Sequence, residues 1–367
     1  MRDVASVREV RECLGGIQRP RMRLALEPGG RRDLRPVRRL SRVVALGGGT
    51  GLPTVLAGLR RHLPSGCRIT AIVTAADDGG SSGVLREQYG VLPPGDIRNC
   101  LVALARVAPE ISAALQYRFD GPSGPPHPVG NLLLTALDMV AADEVAAIRL
   151  AAGLLGVEDA ILPSTVQRIH LVAELLDGRS VRGESAIPRS GALVARVRID
   201  PSDARPAPGV LEALHAADTV ILGPGSLYTS VLATLVVPAV AEAIAAARAT
   251  RIFVCNLMTE PGETDGYGVA AHLEALAAHG LPPEALDYVV VNTRPIPPKV
   301  QVRYTAGGAE PVRLDIAPDS GRPRIVAADV LDSGVAIRHA PDKPGPILSG
   351  LAAGHGAAGR SPGAGLR

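Results

Sequence analysis

The stretch Arg42–Leu52, RVVALGGGTGL, decides the fold of this chain. Its first half, Val43–Leu46, is a short apolar run of the kind that forms a buried strand. Three glycines follow, and from Pro53 onward the spacing of apolar residues becomes helical. Glycines let the backbone approach an anion closely, and the first N–H groups of a helix point toward it. A strand, a glycine turn and a helix N-terminus in this order predict a phosphate-binding loop or, as the alternative, a tight structural turn.

The same alternation of strand and helix recurs along the chain, which implies a parallel sheet. The predicted strands of this sheet lie at 43–46, 69–74, 218–222, 251–255 and 288–291. Short strands are also expected near Val300, Arg313, Ile325 and Ile337. Residues 160–200 differ, because short strands there flank an Asp177-Gly178 turn that is typical of a β-hairpin. We therefore predict an α/β fold, a Rossmann-like three-layer parallel sheet with a small β-rich insertion at about 160–200.

The N-terminus differs in composition from the rest of the chain. Residues 1–42 contain twelve arginines and five acidic residues, about +7, which leaves about −4 for the remainder of a chain of net charge +3. We predict a disordered tail over 1–41, a single α/β domain over 42–342 and a flexible Gly/Ala/Pro-rich tail over 343–367. The folded part is slightly acidic and only 2% of residues are aromatic. We therefore predict no nucleic-acid-binding surface.

Cysteine spacing and apolar runs indicate the compartment. None of the four cysteines has metal-ligand or redox-motif spacing, which favours reduced thiols. The longest apolar run, 231–247, is interrupted by Pro238 and Glu242, and the N-terminus lacks the apolar core of a secretory signal. We predict a cytoplasmic protein without a membrane span.

Two glycine loops can be compared with known phosphate loops. A Walker A loop requires Lys and Ser or Thr directly after its last Gly, but Gly51 is followed by Leu52, so that class of ATPase is excluded. The dinucleotide fingerprint Gly-x-Gly-x-x-Gly is matched only in part, because Leu52 occupies its final position. A second loop, GPGS at 223–226, again follows a predicted strand and precedes a helix. Two such loops favour a shared phosphate site.

Several polar residues beside these loops have two interpretations each. Asp77 and Asp78 either hold a divalent cation such as Mg²⁺ with phosphates, or form Asx turns in a glycine-rich loop. Asp96 is either the N-cap of a helix or part of a ligand site. Arg98 either contacts a phosphate or carboxylate of the ligand or pairs with a neighbouring carboxylate, and His127 is either a structural imidazole or a ligand contact. No Ser-His-Asp or Cys-His order stands out, so no nucleophile with a base partner is predicted.

Six segments, in order, resemble the YvcK family, whose members are also called gluconeogenesis factors. They are GGGTGL (47–52), VTAADDGGSSGVLR (73–86), PPGDIRNCLVALA (93–105), HPVGNLLL (127–134), GPGSLYTSV (223–231) and NLMTEPGETDGY (256–267). The likeness covers about residues 42–342. The YvcK family is similar in fold to CofD, the phospholactate transferase of deazaflavin coenzyme synthesis.

The resemblance implies a bacterial cytoplasmic protein that binds UDP-sugars, notably UDP-N-acetylglucosamine, and has no established catalytic activity. It also implies a regulatory role in cell shape and peptidoglycan synthesis during gluconeogenic growth, with cell-wall synthesis proteins as partners. The segment Ala336-Ile337-Arg338-His339 resembles the one that carries the family's ligand-contacting Arg, which assigns Arg338 to the ligand. Pro341 and Asp342 stand where family members carry a phosphorylated Thr, so that regulation is not expected here.

The alternative implied by the resemblance is an enzyme. A CofD-like transferase would pass phospholactate or phosphoenolpyruvate from a nucleotide-activated substrate to a deazaflavin hydroxyl. In either case we expect a homo-oligomer, a dimer.

The predicted site combines the two glycine loops with polar residues and Arg338. The diphosphate is expected at the amides of Gly48 to Gly51 and Gly225 to Ser226, with Asp77 or Asn256 contacting ribose or uracil. No catalytic residue is predicted, and neither is any cofactor or metal beyond the Mg²⁺ alternative at Asp77 and Asp78. The predicted ligand-binding residues are Gly48, Gly49, Thr50, Gly51, Leu52, Asp77, Asp78, Ser81, Ser82, Asp96, Arg98, Asn99, Asn131, Gly223, Gly225, Ser226, Tyr228, Asn256 and Arg338.

Overall fold

Ten strands form two sheets in the computed structural model, which describes residues 42–119, 127–316, 321–334 and 336–353. The strands are β1 (Arg42–Gly47), β2 (Arg68–Val73), β3 (Ala160–Pro163), β4 (His170–Leu175), β5 (Ser180–Arg182), β6 (Val194–Asp200), β7 (Thr219–Leu222), β8 (Thr250–Val254), β9 (Tyr288–Asn292) and β10 (Arg324–Ala328). Seven of them pair in parallel in the order β10-β9-β8-β7-β1-β2-β3. The predicted α/β fold with a parallel sheet is confirmed.

Helices cover both faces of this sheet. They are α1 (Gly51–His62), α2 (Gly80–Tyr89), α3 (Pro94–Leu104), α4 (Pro109–Gln116), α5 (Val129–Val140), α6 (Glu144–Leu154), α7 (Val210–Ala216), α8 (Ala233–Leu235), α9 (Val240–Ala246), α10 (Val269–Ala278), α11 (Pro298–Thr305) and α12 (Pro344–Ala352). A π-helical turn, Leu227–Leu232, leads directly into α8. Within β1, Val43 and Ala45 join one apolar core while Val44 and Leu46 join the other. Alternate side chains point to opposite faces of a strand, so the sheet is the middle of three layers.

The sheet order reverses between β1 and β7. From β1 the chain adds β2 and then β3 on one side, and from β7 it adds β8, β9 and β10 on the other. In open parallel sheets ligands bind in the crevice at such a reversal, beyond the carboxyl ends of the strands. Both predicted glycine loops leave the sheet at this crevice, one after Gly47 and one after Leu222.

The predicted β-rich insertion is present, with a later start than predicted. Strand β4 pairs with β5 and β6 in antiparallel fashion, and Asp177-Gly178 lies in the turn between β4 and β5, as predicted. Strand β3 lies inside the predicted insertion range but pairs in parallel with β2 in the main sheet. Its sequence, Ala160–Pro163, is too short for hydrophobic periodicity to assign it to either sheet.

Four local predictions are wrong. Residues 79–83 were expected to be a loop, but α2 begins at Gly80. Helix α11 occupies the position of the strand expected near Val300, and its first residue is Pro298. Proline is favoured at the first position of a helix because an N–H group there would have no acceptor within the helix. Arg313 lies in an isolated bridge, and Ile337 lies next to one formed by Leu331 and His339, so neither forms a strand, whereas Ile325 lies in β10 as expected.

The C-terminal part of the described chain is folded beyond residue 342. Helix α12 buries Leu348 and Leu351 in the core that α1 also lines, which corrects the prediction of a flexible tail from 343. A Cβ at Gly58 of α1 would lie 2.2 Å from the carbonyl oxygen of Pro341, so the chain leading into α12 packs directly on α1. The tail predicted over 1–41 and the last part, 354–367, of the tail predicted over 343–367 lie outside the described residues.

Candidate functional site

The first glycine loop turns sharply and leaves no room for side chains. A Cβ at Gly48 would lie 2.6 Å from both Asp96 Oδ2 and Thr74 Cγ2. Gly49 has φ +63°, a conformation that glycine adopts without steric cost. Thr50 is exposed at the N-terminus of α1, while Leu52 is buried in the core and only its backbone can face a ligand.

The two glycine loops are in contact with each other. A Cβ at Gly51 would lie only 1.9 Å from the carbonyl oxygen of Pro224, and one at Gly225 would lie 3.1 Å from that of Gly48. Gly223 continues the sheet, since its N–H donates to the Leu46 carbonyl at 2.9 Å. The loops therefore form one continuous backbone surface at the strand reversal.

Asn256, which follows β8, holds the second loop in place. Its Nδ2 donates to the Gly225 carbonyl at 2.8 Å, and its Oδ1 accepts the Gly225 N–H at 3.3 Å. Asn256 thus has a structural role, and its predicted contact with ribose or uracil stays a prediction. The Asn256 amide sets the position of the glycine loop that closes one side of the cavity described next.

A cavity of about 310 Å³ opens where these loops meet. It crosses the carboxyl ends of β7 and β8 and reaches α11. Five predicted ligand residues line it: Thr50, Gly51, Gly225, Asn256 and Arg338. The other lining residues are Thr54, Pro224, Leu257, Met258, Thr259, Glu260, Pro261, Tyr304, Ala309, Ile337 and His339. Its volume is within the range of small-molecule sites.

Backbone contacts bring Arg338 to this cavity. The Ile337 N–H donates to Tyr304 Oη at 3.0 Å, and the Arg338 carbonyl accepts the Asp332 N–H at 2.8 Å. His339 is buried with its Nε2 3.2 Å from the Cys255 carbonyl, and burial lowers its pKa to about 4. Arg338 itself is exposed, and its guanidinium makes no hydrogen bond or ion pair within the described residues. Its donors can therefore bind an anion in the cavity.

Glu263 already occupies the helix N-terminus that follows the second loop. Its Oε2 accepts the N–H groups of Tyr228 and Thr229 at 3.3 Å each, and its Oε1 accepts the Thr229 hydroxyl at 3.0 Å. Burial and the neighbouring Glu260 raise the pKa of Glu263 to about 7. The amides of this π-helical turn are thus used internally.

Two predicted ligand residues near this turn have partners within the protein. Tyr228 is buried, with its hydroxyl 2.9 Å from that of Tyr267, and burial raises its pKa. The side chain of Ser226 lies near the carboxylate of Glu260. The structure therefore places Tyr228 in the core, and neither Tyr228 nor Ser226 lines the cavity described above.

The acidic loop after β2 holds the fold together. Asp77 Oδ1 accepts the Gly79 N–H at 2.9 Å, the geometry of an Asx turn. Asp78 accepts the N–H groups of Glu184 and Ser185 at 3.0 and 2.8 Å, one on each carboxylate oxygen, and so anchors the insertion. No cluster of three or more His, Cys, Asp or Glu suited to a metal ion occurs among the described residues. Both carboxylates thus have partners within the fold, and the Mg²⁺ alternative at this pair stays a prediction.

Asp96 links helix α3 to the first glycine loop. The predicted N-cap role is wrong, because α3 begins at Pro94 and Pro93 is the capping position. Instead, Asp96 Oδ2 accepts the Gly49 N–H at 2.7 Å. Burial, aided by the negative charge of Asp77, raises the pKa of Asp96 to about 6.

Glu184 is a site residue that sequence reasoning missed. Burial raises its pKa to about 8, and the carboxylates of Asp77, Asp78, Glu263 and Asp96 add to the shift. It lies in the insertion, and the Asp78 contacts bring it to the crevice. No local sequence signal marks it, because the contact joins residues that are 106 positions apart.

A buried polar chain connects α2, α3 and α5. Arg98 Nη1 donates to Asn131 Oδ1 at 2.5 Å, and Asn131 Nδ2 donates to Ser81 Oγ at 2.9 Å. Ser81 Oγ lies 2.7 Å from His127 Nδ1. Because Arg98 can only donate, the amide of Asn131 has one allowed orientation. The hydroxyl hydrogen of Ser81 is then left for His127 when the Nδ1 of that imidazole carries no hydrogen. The sequence did not predict this serine–histidine pair.

The remaining predicted residues belong to the same polar layer. Asn99 Oδ1 accepts from Arg98 Nη2 at 2.8 Å, and Ser82 Oγ accepts the Gly95 N–H at 3.1 Å. Burial lowers the pKa of Arg98 to about 10, so it remains a cation at neutral pH. Of the predicted residues, five thus line the cavity and five join the helices beside it, and the others lie in the glycine loops, the acidic loop or the core.

Comparison with known proteins identifies the family. The family model described as 2-phospho-L-lactate transferase CofD matches residues 43–331. The gluconeogenesis factor of Bacillus subtilis (strain 168) is 42% identical over 276 residues, which cover 75% of this chain and 86% of that protein. The chain belongs to the gluconeogenesis-factor branch of the CofD family. The resemblance predicted from the six motifs is confirmed.

Two further proteins are similar to this chain over most of its length. The Listeria monocytogenes protein is 40% identical over 312 residues, 81% of this chain and 95% of that one. A crystal structure of a UPF0052 family member from Bacillus halodurans superposes with a TM-score of 0.78 at 39% identity, covering 84% of this chain and 98% of that one. Among the residues that the structure describes, no single helix is both long enough and apolar enough to cross a membrane. The helix pair Leu227–Leu235 and Val240–Ala246 passes the test only when taken together, and it is bent by 75°.

Proposed function

We propose that this gluconeogenesis factor is a regulatory protein that binds a UDP-sugar, UDP-N-acetylglucosamine foremost, in the cavity at the strand reversal. The observation that carries the proposal is the meeting of the α1 N-terminus, the second glycine loop and Arg338 around one cavity of about 310 Å³. Three sequence-distant segments meet there, and among the described residues the N–H groups of Thr50 and Gly51 and the Arg338 guanidinium have no internal partner.

The diphosphate fits the side of the cavity nearest α1. The N–H groups at Thr50 and Gly51 lie at the helix N-terminus, where the dipole favours an anion. Arg338 then offers a fork of donors to the phosphate oxygens. Because Asp96 takes the Gly49 amide and Glu263 takes those of Tyr228 and Thr229, the phosphates are restricted to the amides that remain.

The cellular role follows from the family. Relatives at 40–44% identity carry the name gluconeogenesis factor, which supports a role in growth on gluconeogenic carbon sources. We propose that the bound sugar nucleotide is the signal, that the output is control of cell shape and peptidoglycan synthesis through cell-wall synthesis proteins, and that the protein acts in the cytoplasm as a dimer.

Calorimetry on the full chain tests this proposal. UDP-N-acetylglucosamine, GDP and NAD are each titrated into the protein under the same buffer conditions. We expect UDP-N-acetylglucosamine to bind most tightly. Tight binding of GDP without binding of the UDP-sugar would overturn the proposal.

The alternative function, a CofD-like transferase, has a specific observation in its favour. The family model that matches residues 43–331 describes a transferase, 2-phospho-L-lactate transferase CofD. As an enzyme of that kind, the chain would accept a nucleotide-activated phospholactate or phosphoenolpyruvate. Preferential GDP binding in the same titrations would favour this alternative.

A further inference from the structure

Helix α5 is apolar on a side that faces solvent. Four of its apolar residues are exposed: Leu132, Ala136, Met139 and Val140. The last three follow the first by four, seven and eight residues, which places all of them on one side of the helix. Of the twelve large hydrophobic side chains that are exposed in the described part of the chain, eight lie between residues 111 and 154. Exposed apolar surface is therefore concentrated on helices α4 to α6.

An exposed aromatic pair lies at the start of the same helix. The rings of Tyr117 and Phe119 contact each other edge to face, with centroids 4.9 Å apart, and both residues are more than half exposed. The Tyr117 carbonyl accepts the Val129 N–H at 3.0 Å, so the pair lies beside the first turn of α5. In a chain with only two phenylalanines and six tyrosines, such a pair marks a contact surface, because aromatic residues are enriched at interfaces.

We propose that a second copy of this chain packs on the α5 face, which consists of the four exposed residues of α5 and the aromatic pair. A twofold axis relates the two copies, and their α5 helices run antiparallel across each other. The inference rests on the dimer in the proposed function and adds the surface that forms it.

The spacing of the exposed residues fits an axis that passes through Ala136. In a twofold interface, residue i of one copy contacts residue j of the other, and j contacts i. Leu132 and Val140 lie four residues on either side of Ala136, so the Leu132 of each copy meets the Val140 of the other. The small side chain at the crossing point lets the two helices approach closely.

The chemistry of the α5 face also suits a copy of itself. Asp138 is the one ionisable residue of α5, and it lines a small cavity toward α6 together with Glu144, away from the exposed side. The exposed residues of α5 therefore bring no charge that a second copy would repel. With antiparallel helices, the aromatic pair of one copy lies near Met139 of the other, and a thioether packs favourably against aromatic rings.

The exposed area matches what a dimer needs. The large side chains of the α5 face are exposed to 44% (Leu132), 62% (Met139), 77% (Val140), 57% (Tyr117) and 63% (Phe119). For side chains of this size, these fractions correspond to roughly 600 Å² of apolar surface per copy, the upper end of what monomeric proteins expose in one patch. Twofold pairing buries roughly 1,200 Å² in total, the lower bound of specific, stable interfaces.

Sedimentation of the full chain tests whether a second copy covers this face. We expect the wild-type protein to be a dimer at micromolar concentration. Met139→Glu buries two unpaired carboxylates in the interface and should weaken the dimer by about a hundredfold or more. The matched control is Leu176→Glu between β4 and β5, a leucine that is 68% exposed, and it should leave the dimer unchanged. Because both positions are exposed in the single chain, neither change disturbs the core.

Disulfide cross-linking tests the position of the axis. The cysteines of the described chain are buried, so Cys13→Ser gives a suitable background. Ala136→Cys should form a covalent dimer on mild oxidation, because the axis brings the two copies of this residue together. Glu212→Cys, at an exposed position of α7, is the control and should form none.

Two further cysteine variants test the antiparallel crossing. Leu132→Cys alone and Val140→Cys alone should not cross-link, because two copies of either residue lie roughly 12 Å apart along the helices. An equal mixture of the two variants should form covalent dimers, since each residue faces the other across the axis.

The outcomes separate this inference from the proposed ligand. A wild-type protein that sediments as a monomer at high micromolar concentration would overturn the interface, as would a dimer that survives Met139→Glu or Ala136→Cys without cross-linking. Calorimetry with UDP-N-acetylglucosamine on Met139→Glu is expected to give wild-type affinity, because α5 does not line the cavity at the strand reversal. A dimeric wild-type protein that binds no UDP-sugar would overturn the proposed ligand and support the interface.

Discussion

The carboxylate of Asp96 accepts the amide hydrogen of Gly49 at 2.7 Å, within the loop that joins β1 to α1. A negative charge therefore lies beside the amides proposed to hold a diphosphate. Since burial raises the pKa of Asp96 to about 6, this charge is largely absent at pH 5 and present at pH 8. Ligand binding is thereby coupled to pH through one side chain.

The affinity for UDP-N-acetylglucosamine should consequently rise as the pH falls through about 6, because the diphosphate keeps its charge while Asp96 loses its own. Asp96→Asn keeps an oxygen acceptor for the Gly49 N–H and removes the charge. We expect the variant to bind several-fold more tightly than wild type at pH 8, on the order of 1 kcal/mol, and nearly equally at pH 5. Titrations at the two pH values measure this. An identical pH dependence in both proteins would show that Asp96 is not the coupled group.

Contact between the two glycine loops should make Gly51 intolerant of substitution. Gly51→Ala places a methyl group 1.9 Å from the Pro224 carbonyl oxygen and must push the loops apart. We expect a loss of about 1–3 kcal/mol in the free energy of unfolding, and no detectable UDP-sugar binding. Gly153→Ala in α6 is the control, since a Cβ there meets nothing within 4 Å. It should be neutral or stabilising by up to about 1 kcal/mol in denaturant titrations. Similar behaviour of the two variants would contradict the close contact.

Glu184 should make the protein less stable as the pH rises. Its ordinary pKa of 4.5 is raised to about 8 in the fold, so between these values the folded protein binds a proton that the unfolded chain does not. The free energy of unfolding therefore falls from about pH 4.5 to pH 8. We expect Glu184→Gln to flatten this slope and to exceed wild type at pH 8 by on the order of 1 kcal/mol. Glu212→Gln, at an exposed position of α7, is the control and should leave the slope unchanged.

Arg338 should contribute to affinity and not to stability, because it is exposed and its guanidinium has no partner among the described residues. We expect Arg338→Ala to weaken UDP-N-acetylglucosamine binding by at least about tenfold, and Arg338→Lys by less, since lysine keeps the charge without the fork. The control is Arg106→Ala, which breaks only an exposed ion pair with Glu158. A thermal melt should be the same for all three variants within about 2 °C. Normal binding by Arg338→Ala would remove this residue from the site.

The sheet was predictable because its strands are nearly continuous apolar runs. Val43 to Leu46 and Ile69 to Val73 are buried on both faces, as parallel strands are, and hydrophobicity alone marks them. The ends of such strands also mark the crevice, so the sequence predicts a shared site for Thr50, Gly51 and Gly225, and these three residues line one cavity. Local pattern and global fold agree at these positions.

Other elements were missed because local composition gave a misleading signal. Val300 and Val302 alternate as in a strand, yet Pro298 starts a helix there. The Gly/Ala/Pro-rich composition after Lys343 hides the helical spacing of Leu348 and Leu351, which are buried against the same core as α1.

Polar partnerships were missed for a different reason. Ser81 and His127 are 46 residues apart, and Asp78 reaches backbone amides more than 100 residues away. Side chains of this kind satisfy one another only after the helices pack, so their sequence neighbourhood does not distinguish a structural partner from a ligand contact. Several residues predicted to bind ligand, among them Asp78, Asn131 and Tyr228, are engaged within the protein for this reason.

A crystal structure of the full chain with UDP-N-acetylglucosamine tests the central claim most directly. The account predicts difference density in the cavity at the strand reversal, with phosphate oxygens within hydrogen-bond distance of the Thr50 or Gly51 N–H and of the Arg338 guanidinium. Density placed elsewhere, such as between α2 and the insertion beside Asp78, would contradict the account, as would an empty cavity at saturating ligand.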